Sequence, residues 1–146
     1  MAHPSALDTL IELAASETDE AAKQLGRAVR AADDAAQKLA LLVQYRDDYA
    51  ARLQSGMGSG LNATAFRNFQ VFIGKLDDAI AGQQEVVRQA QRHIEMRRGI
   101  WQQSERKRLS YGTLSSRARA AAAHKENKRD QKQMDEHVAR QAFTRR

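Results

Sequence analysis

Four histidines, His3, His93, His124 and His137, and three acidic doublets, Asp33-Asp34, Asp47-Asp48 and Asp77-Asp78, are the residues whose types could bind a metal or move a proton. Their spacing argues against both. No two histidines stand three or four positions apart, so no His pair can converge on a metal from one helical face. The doublets lie outside the apolar stripes described below, where carboxylates are solvated and no cleft desolvates them for acid–base work. Without Cys there is no thiolate nucleophile, disulfide or sulfur zinc site, which is compatible with a reducing compartment. The run Ser55-Gly56-Met57-Gly58-Ser59-Gly60 is rich in glycine, but no Gly-Lys-Ser/Thr follows it and no strand precedes it, so a phosphate cradle lacks its other parts. The expectation is a protein with no catalytic centre, no metal and no cofactor.

Charge points instead to partners. The chain has 146 residues and a formal net charge of +6, distributed unevenly. Residues 1–60 carry 6 Lys+Arg against 9 Asp+Glu, and residues 61–146 carry 18 against 9. Halves of opposite sign attract when laid side by side, and the surplus on the second favours an acidic protein, anionic lipid or nucleic acid. The cations from Arg88, Arg92, Arg97 and Arg98 through Arg106, Lys107 and Arg108 to Lys132 are spread around a helix. Trp101 belongs to the apolar stripe instead of standing among them as a base reader. No specific nucleic acid is therefore expected, and a basic helical nucleic-acid-associated protein stands as an alternative.

The elements that position these residues are helices. An alternation of four and three residues runs through Leu7, Ile11, Ala14, Thr18, Ala21, Leu25, Ala28, Ala32, Ala35, Leu39, Leu42, Arg46, Tyr49 and Leu53, and twelve of the fourteen are apolar. A stripe of period 3.5 stays on one face only if the helix supercoils against a partner. Ser5 with Asp8 three places on predicts an N-terminal cap, and Pro4 is tolerated in the first turn. The glycine-rich run predicts a hairpin turn. The alternation resumes through Phe69, Ile73, Leu76, Ile80, Gln83, Val87, Ala90, Ile94, Arg97 and Trp101. Beyond Trp101 the next large apolar residue is Leu109, eight places on, which predicts a slipped stripe and changed packing. Residues 117–123 have high helix propensity but little side-chain volume, and the segment after His124 is predominantly polar.

These features predict an all-α fold: a long antiparallel two-helix coiled-coil hairpin forming one domain over 1–146. Helix one is expected at about 5–54, the turn at about 55–61 and helix two at about 62–140. The N-terminus lacks a secretory pattern, and no stretch of about 18 apolar residues offers a membrane span. Five alanines, Ala14, Ala21, Ala28, Ala32 and Ala35, let the helix axes approach closely at some cost in stability. Such slimness suits a protein that enters a confined space. Phe66, Phe69, Phe72, Ile73 and Leu76 are denser than a two-helix seam requires, and Phe72, beside the stripe, is expected to stay partly exposed as a docking anchor.

Several segments together resemble the flagellar type III export family FliJ, over essentially the whole chain. They are Ala6-Leu7-Asp8-Thr9-Leu10 with Leu13-Ala14, Leu39 to Leu42 with Tyr45-Arg46-Asp47-Asp48-Tyr49, Met57-Gly58-Ser59-Gly60, Asn68-Phe69-Gln70-Val71-Phe72-Ile73 with Leu76 and Ala79-Ile80, and Glu126-Asn127-Lys128-Arg129-Asp130-Gln131-Lys132-Gln133-Met134-Asp135-Glu136. The resemblance implies a hairpin similar to the central stalk subunit of rotary ATPases. It implies a cytoplasmic protein, peripheral on the inner membrane at the flagellar base through its partners. Those partners are the hexameric export ATPase, the cytoplasmic domain of the membrane export gate, and export chaperones. Carried over by position, Phe72, Leu76, Ala79 and Gln83 match the gate-contact pattern, Gln83 standing where the family often has His. Glu126, Asn127, Arg129, Asp130, Gln131, Lys132, Asp135 and Glu136 match the C-terminal motif assigned to the ATPase side. A general coiled-coil adaptor or chaperone without ATPase coupling is the other alternative.

Overall fold

The computed structural model describes residues 5–145, nearly all of them in two helices, α1 (Ala6–Gly58) and α2 (Ala63–Thr144), packed against each other as an antiparallel helical hairpin. Among the described residues there is no strand. The expectations for His3 and Pro4 lie outside them.

Each helix begins where a short polar side chain replaces a missing backbone partner. The Ser5 hydroxyl accepts from the Asp8 amide at 3.1 Å, and the Asp8 carboxylate accepts from the Ser5 amide at 3.3 Å, so two otherwise orphaned donors are satisfied reciprocally. At α2 the Asn62 side-chain oxygen accepts from the Ala65 amide at 2.8 Å.

The turn is shorter than the glycine run suggested. Ser55, Gly56, Met57 and Gly58 are still helical, and the chain reverses only over Ser59–Asn62. Closure rests on Gly60, whose φ of 85° places it in the left-handed region that a side chain disfavours. The Leu61 amide then donates back to the Gly56 carbonyl at 2.9 Å, and the Leu61 side chain covers Gly56, where a Cβ would meet Leu61 Cδ1 at 3.4 Å. One glycine thus makes the turn, and Leu61 packs over Gly56 at a distance that would be ordinary contact for a Cβ.

The residues divide into two packing units. One joins α1 up to Thr18 with α2 from Gln103 onward; the other is Asp19–Gln102. In both, the buried residues come from α1 alone: Ala14 and Thr18 in the first, Ala21, Ala28, Ala32 and Ala35 in the second. The Thr18 hydroxyl donates to the Ala14 carbonyl at 2.8 Å, which allows a polar side chain to be buried there. The apolar stripe residues of α2, larger apart from Ala90, are only half-buried, from Phe69 and Ile73 to Ile94 and Trp101.

The stripe of α2 does not slip after Trp101. Its half-buried positions continue at Ser104, Arg108, Tyr111 and Ser115, three and four apart as before, while Leu109 is 56% exposed. What changes is side-chain chemistry: the same face turns polar, and the large apolar residue lies off it. From Ser116 to Arg145 every described residue is exposed, and α2 runs to Thr144, past the expected end near 140.

Candidate protein-docking surfaces

In the unit Asp19–Gln102 the facing stripes bring Tyr49 of α1 between two phenylalanines of α2. Its ring centroid lies 6.0 Å from Phe69 and 4.5 Å from Phe72, both tilted. Such pairing adds to what burial alone contributes. The Arg52 guanidinium lies 5.5 Å from the Tyr49 centroid on the ring face. Phe72 therefore has one side held by Tyr49 while remaining 41% exposed. Tyr45, 57% exposed, precedes Tyr49 by one turn of α1.

The four gate-contact candidates divide between two surroundings. Phe72 and Ala79 are exposed; Leu76 and Gln83 are half-buried stripe residues. The Gln83 amide donates to the Ala35 carbonyl on α1 at 2.9 Å, which engages its polar group inside the hairpin. Immediately after Leu76, Asp77 accepts from the Arg46 Nε at 2.9 Å. That contact raises Arg46 above its ordinary pKa and explains how a cation occupies a stripe position. Periodicity placed Arg46 on the stripe but could not identify its partner, because Asp77 stands just off the facing stripe.

Farther along α2, helical neighbours neutralise part of the positive charge. Glu85 accepts from Arg88 at 2.9 Å and from Arg92 at 3.2 Å; Arg88 first, then Arg92, holds this carboxyl below its ordinary range. Glu105 is lowered likewise by Arg108. Arg97 sits on the stripe with its Nε buried and, among the described residues, without a hydrogen-bond partner.

The C-terminal candidates Glu126, Asn127, Arg129, Asp130, Gln131, Lys132, Asp135 and Glu136 are all exposed, and among the described residues none of them enters a salt bridge. Spacings of four and five from Glu126 through Asp130 to Asp135 spread these groups over a broad helical face that can touch several neighbours at once. Among the described residues no group of three or more His, Asp or Glu is arranged to hold a metal ion, and no helix is long and apolar enough to cross a membrane.

Residues 3–146 match the family described as Flagellar FliJ protein. The chain is 34% identical over 143 residues to the Flagellar FliJ protein of Salmonella typhi, a span covering 98% of this chain and 97% of that protein. It is 32% identical over 143 residues to the Flagellar FliJ protein of Escherichia coli (strain K12), with the same two coverages.

Proposed function

Because the chain belongs to the flagellar FliJ family, we propose that it is a non-enzymatic component of the flagellar type III export apparatus. In this reading it is a stalk-like coiled coil that binds the export ATPase ring, promotes its assembly and activity, and links it to the membrane export gate. Export chaperones are its third class of partner. Its place is the cytoplasmic face of the inner membrane, reached through the gate and the ATPase.

The observation that carries the reading is the stretch of α2 from Ser116 to Thr144, exposed at every residue and without a salt bridge among the described residues. With only three large apolar side chains, Met134, Val138 and Phe143, all exposed, such a stretch gains little from packing within its own chain. A helix of this kind is marginal alone in water and is stabilised by a partner. Its net charge and its motif of carboxylates, amides and cations suit a polar ring of subunits better than an apolar groove. The gate side is supported by Phe72, an exposed ring already immobilised on Tyr49, because an ordered aromatic loses little further freedom on binding.

The mechanism needs no bond-making by this chain. Phe72 and the C-terminal motif belong to the same unbroken helix, so a movement imposed on one section of α2 passes along a continuous hydrogen-bonded backbone. Adding the purified chain to the export ATPase tests the proposal. Faster ATP hydrolysis and more ring formation are expected, and an ATPase indifferent to the chain would favour a general coiled-coil adaptor.

A further inference from the structure

Between Asp48 and Asp77 lie 28 residues without one carboxylate side chain, and among them three cations, Arg52, Arg67 and Lys75. The stretch comprises the end of α1, the turn and the start of α2. Both arms of the hairpin end are therefore acid-free, and among the described residues none of the three cations enters a salt bridge. The other long acid-free run, 106–125, differs in this respect: Asp8, Glu12 and Glu17 of α1 belong to its packing unit, and Glu17 pairs with Lys107 at 3.6 Å.

The same end exposes apolar surface. Met57 is 61% exposed and Val71 55%. An open, shallow notch is lined by Met57, Leu61, Ala63, Phe66, Arg67 and Gln70. The apex is serine and glycine, and nothing lies within 4 Å of where a Cβ would stand at Gly58 or Gly60. A docking helix needs an extended groove, whereas this notch is confined to the turn. An apex of small uncharged residues, an apolar shoulder at Met57 and a collar of Arg52 and Arg67 instead match a flat interface that is apolar below and anionic above.

We propose that the hairpin end binds an anionic bilayer surface directly, Met57 entering the headgroup boundary and Arg52 and Arg67 meeting lipid phosphates. Anchoring by one apolar side chain and a few cations is weak and reversible, and it weakens further with salt. It would hold the end near the membrane while leaving Phe72 free for protein contacts.

The test is cosedimentation of the full chain with vesicles of phosphatidylcholine containing phosphatidylglycerol and with vesicles of phosphatidylcholine alone. Binding to the anionic vesicles only, falling as salt rises, is expected. Arg52→Glu with Arg67→Glu should lower the partition coefficient at least about tenfold. Met57→Ser should lower it about threefold, and Arg117→Glu with Arg119→Glu on the exposed stretch of α2 should change it less than about twofold. Circular dichroism checks helicity; if the charge reversals reduce it, Arg52→Gln with Arg67→Gln carries the same test. Failure of the wild-type chain to bind anionic vesicles would overturn the proposal. So would a loss that follows Arg117 and Arg119 instead of the hairpin end, or capture of soluble poly-glutamate by that end with vesicles ignored.

Discussion

The side-chain amide of Gln83 donates to the main-chain carbonyl of Ala35 across the helix pair, at 2.9 Å. A residue that resemblance assigns to a partner-facing site is thus engaged inside the hairpin. Removing it leaves space at a half-buried stripe position and loses one hydrogen bond, about 1 kcal/mol. Gln83→Ala should lower the urea midpoint accordingly, and Gln83→Leu should recover it by filling the stripe with apolar volume. In a titration against the gate's cytoplasmic domain, both variants should bind within about twofold of wild type, because the hairpin already uses the Gln83 amide. A tenfold loss of affinity at unchanged stability would return Gln83 to the docking surface.

Most of the helix pair was legible, because one rule decides it: all fourteen positions from Leu7 to Leu53 and all ten from Phe69 to Trp101 are buried or half-buried. The same rule carried past Trp101 leads to Ser104, Arg108, Tyr111 and Ser115, whereas following side-chain volume leads to the exposed Leu109. Spacing outranks hydrophobicity once neighbouring turns hold the helix in place. The turn was legible only as a break. Gly56, Gly58 and Gly60 are alike as residues, and a backbone φ of 85° separates Gly60 from the other two. The docking surfaces were legible least, since nothing in the spacing shows that Tyr49 fixes Phe72 or that Ala35 engages Gln83.

Phe72→Ala removes an exposed ring and also the contact that orders it, worth about 0.5–1.5 kcal/mol to the hairpin. Gate affinity is expected to fall at least about tenfold, with helicity by circular dichroism preserved. Phe72→Leu separates the two effects by retaining apolar volume while losing the ring pair. It should bind better than the alanine variant and less well than wild type, as measured by titration. Unchanged gate binding in Phe72→Ala would remove Phe72 from the site.

Ala28 is 4% exposed and Ala32 9%, so a larger side chain at either has no room without moving the helices. Ala28→Leu or Ala32→Leu should destabilise the hairpin by roughly 1–3 kcal/mol through overpacking. If closeness of the helices matters for entering a confined site, ATPase stimulation should fall further than the loss of folded protein explains. Full stimulation by a leucine variant would refute the functional part of that expectation.

Glu85 and Glu105 have carboxyl pKa values lowered by Arg88 with Arg92 and by Arg108 respectively. A lowered folded pKa means that the stabilisation is complete above the ordinary carboxylate range and is lost as pH falls through the folded value. Helicity should therefore hold on acidification to the ordinary range and decline below it. Carbon-detected NMR titration of the side-chain carboxyls checks the assignment. Arg88→Ala should raise the Glu85 midpoint more than Arg92→Ala does, because Arg88 is the larger cause.

Deleting residues 116–146 separates folding from function most directly. Every described residue of that segment is exposed, so its removal takes no buried or half-buried residue from the helix pair. The remaining hairpin should keep its melting temperature within about 2 °C and lose only the helical signal the segment itself supplied. If the segment is the ATPase-facing surface, stimulation should disappear while gate binding through Phe72 persists. Supplying residues 116–146 as a separate peptide should then inhibit the intact chain by competition, without stimulating hydrolysis, because the peptide can occupy the ring but is connected to nothing. Stimulation by the peptide alone would show that contact suffices, and would remove the need for a helix continuous with the rest of the chain.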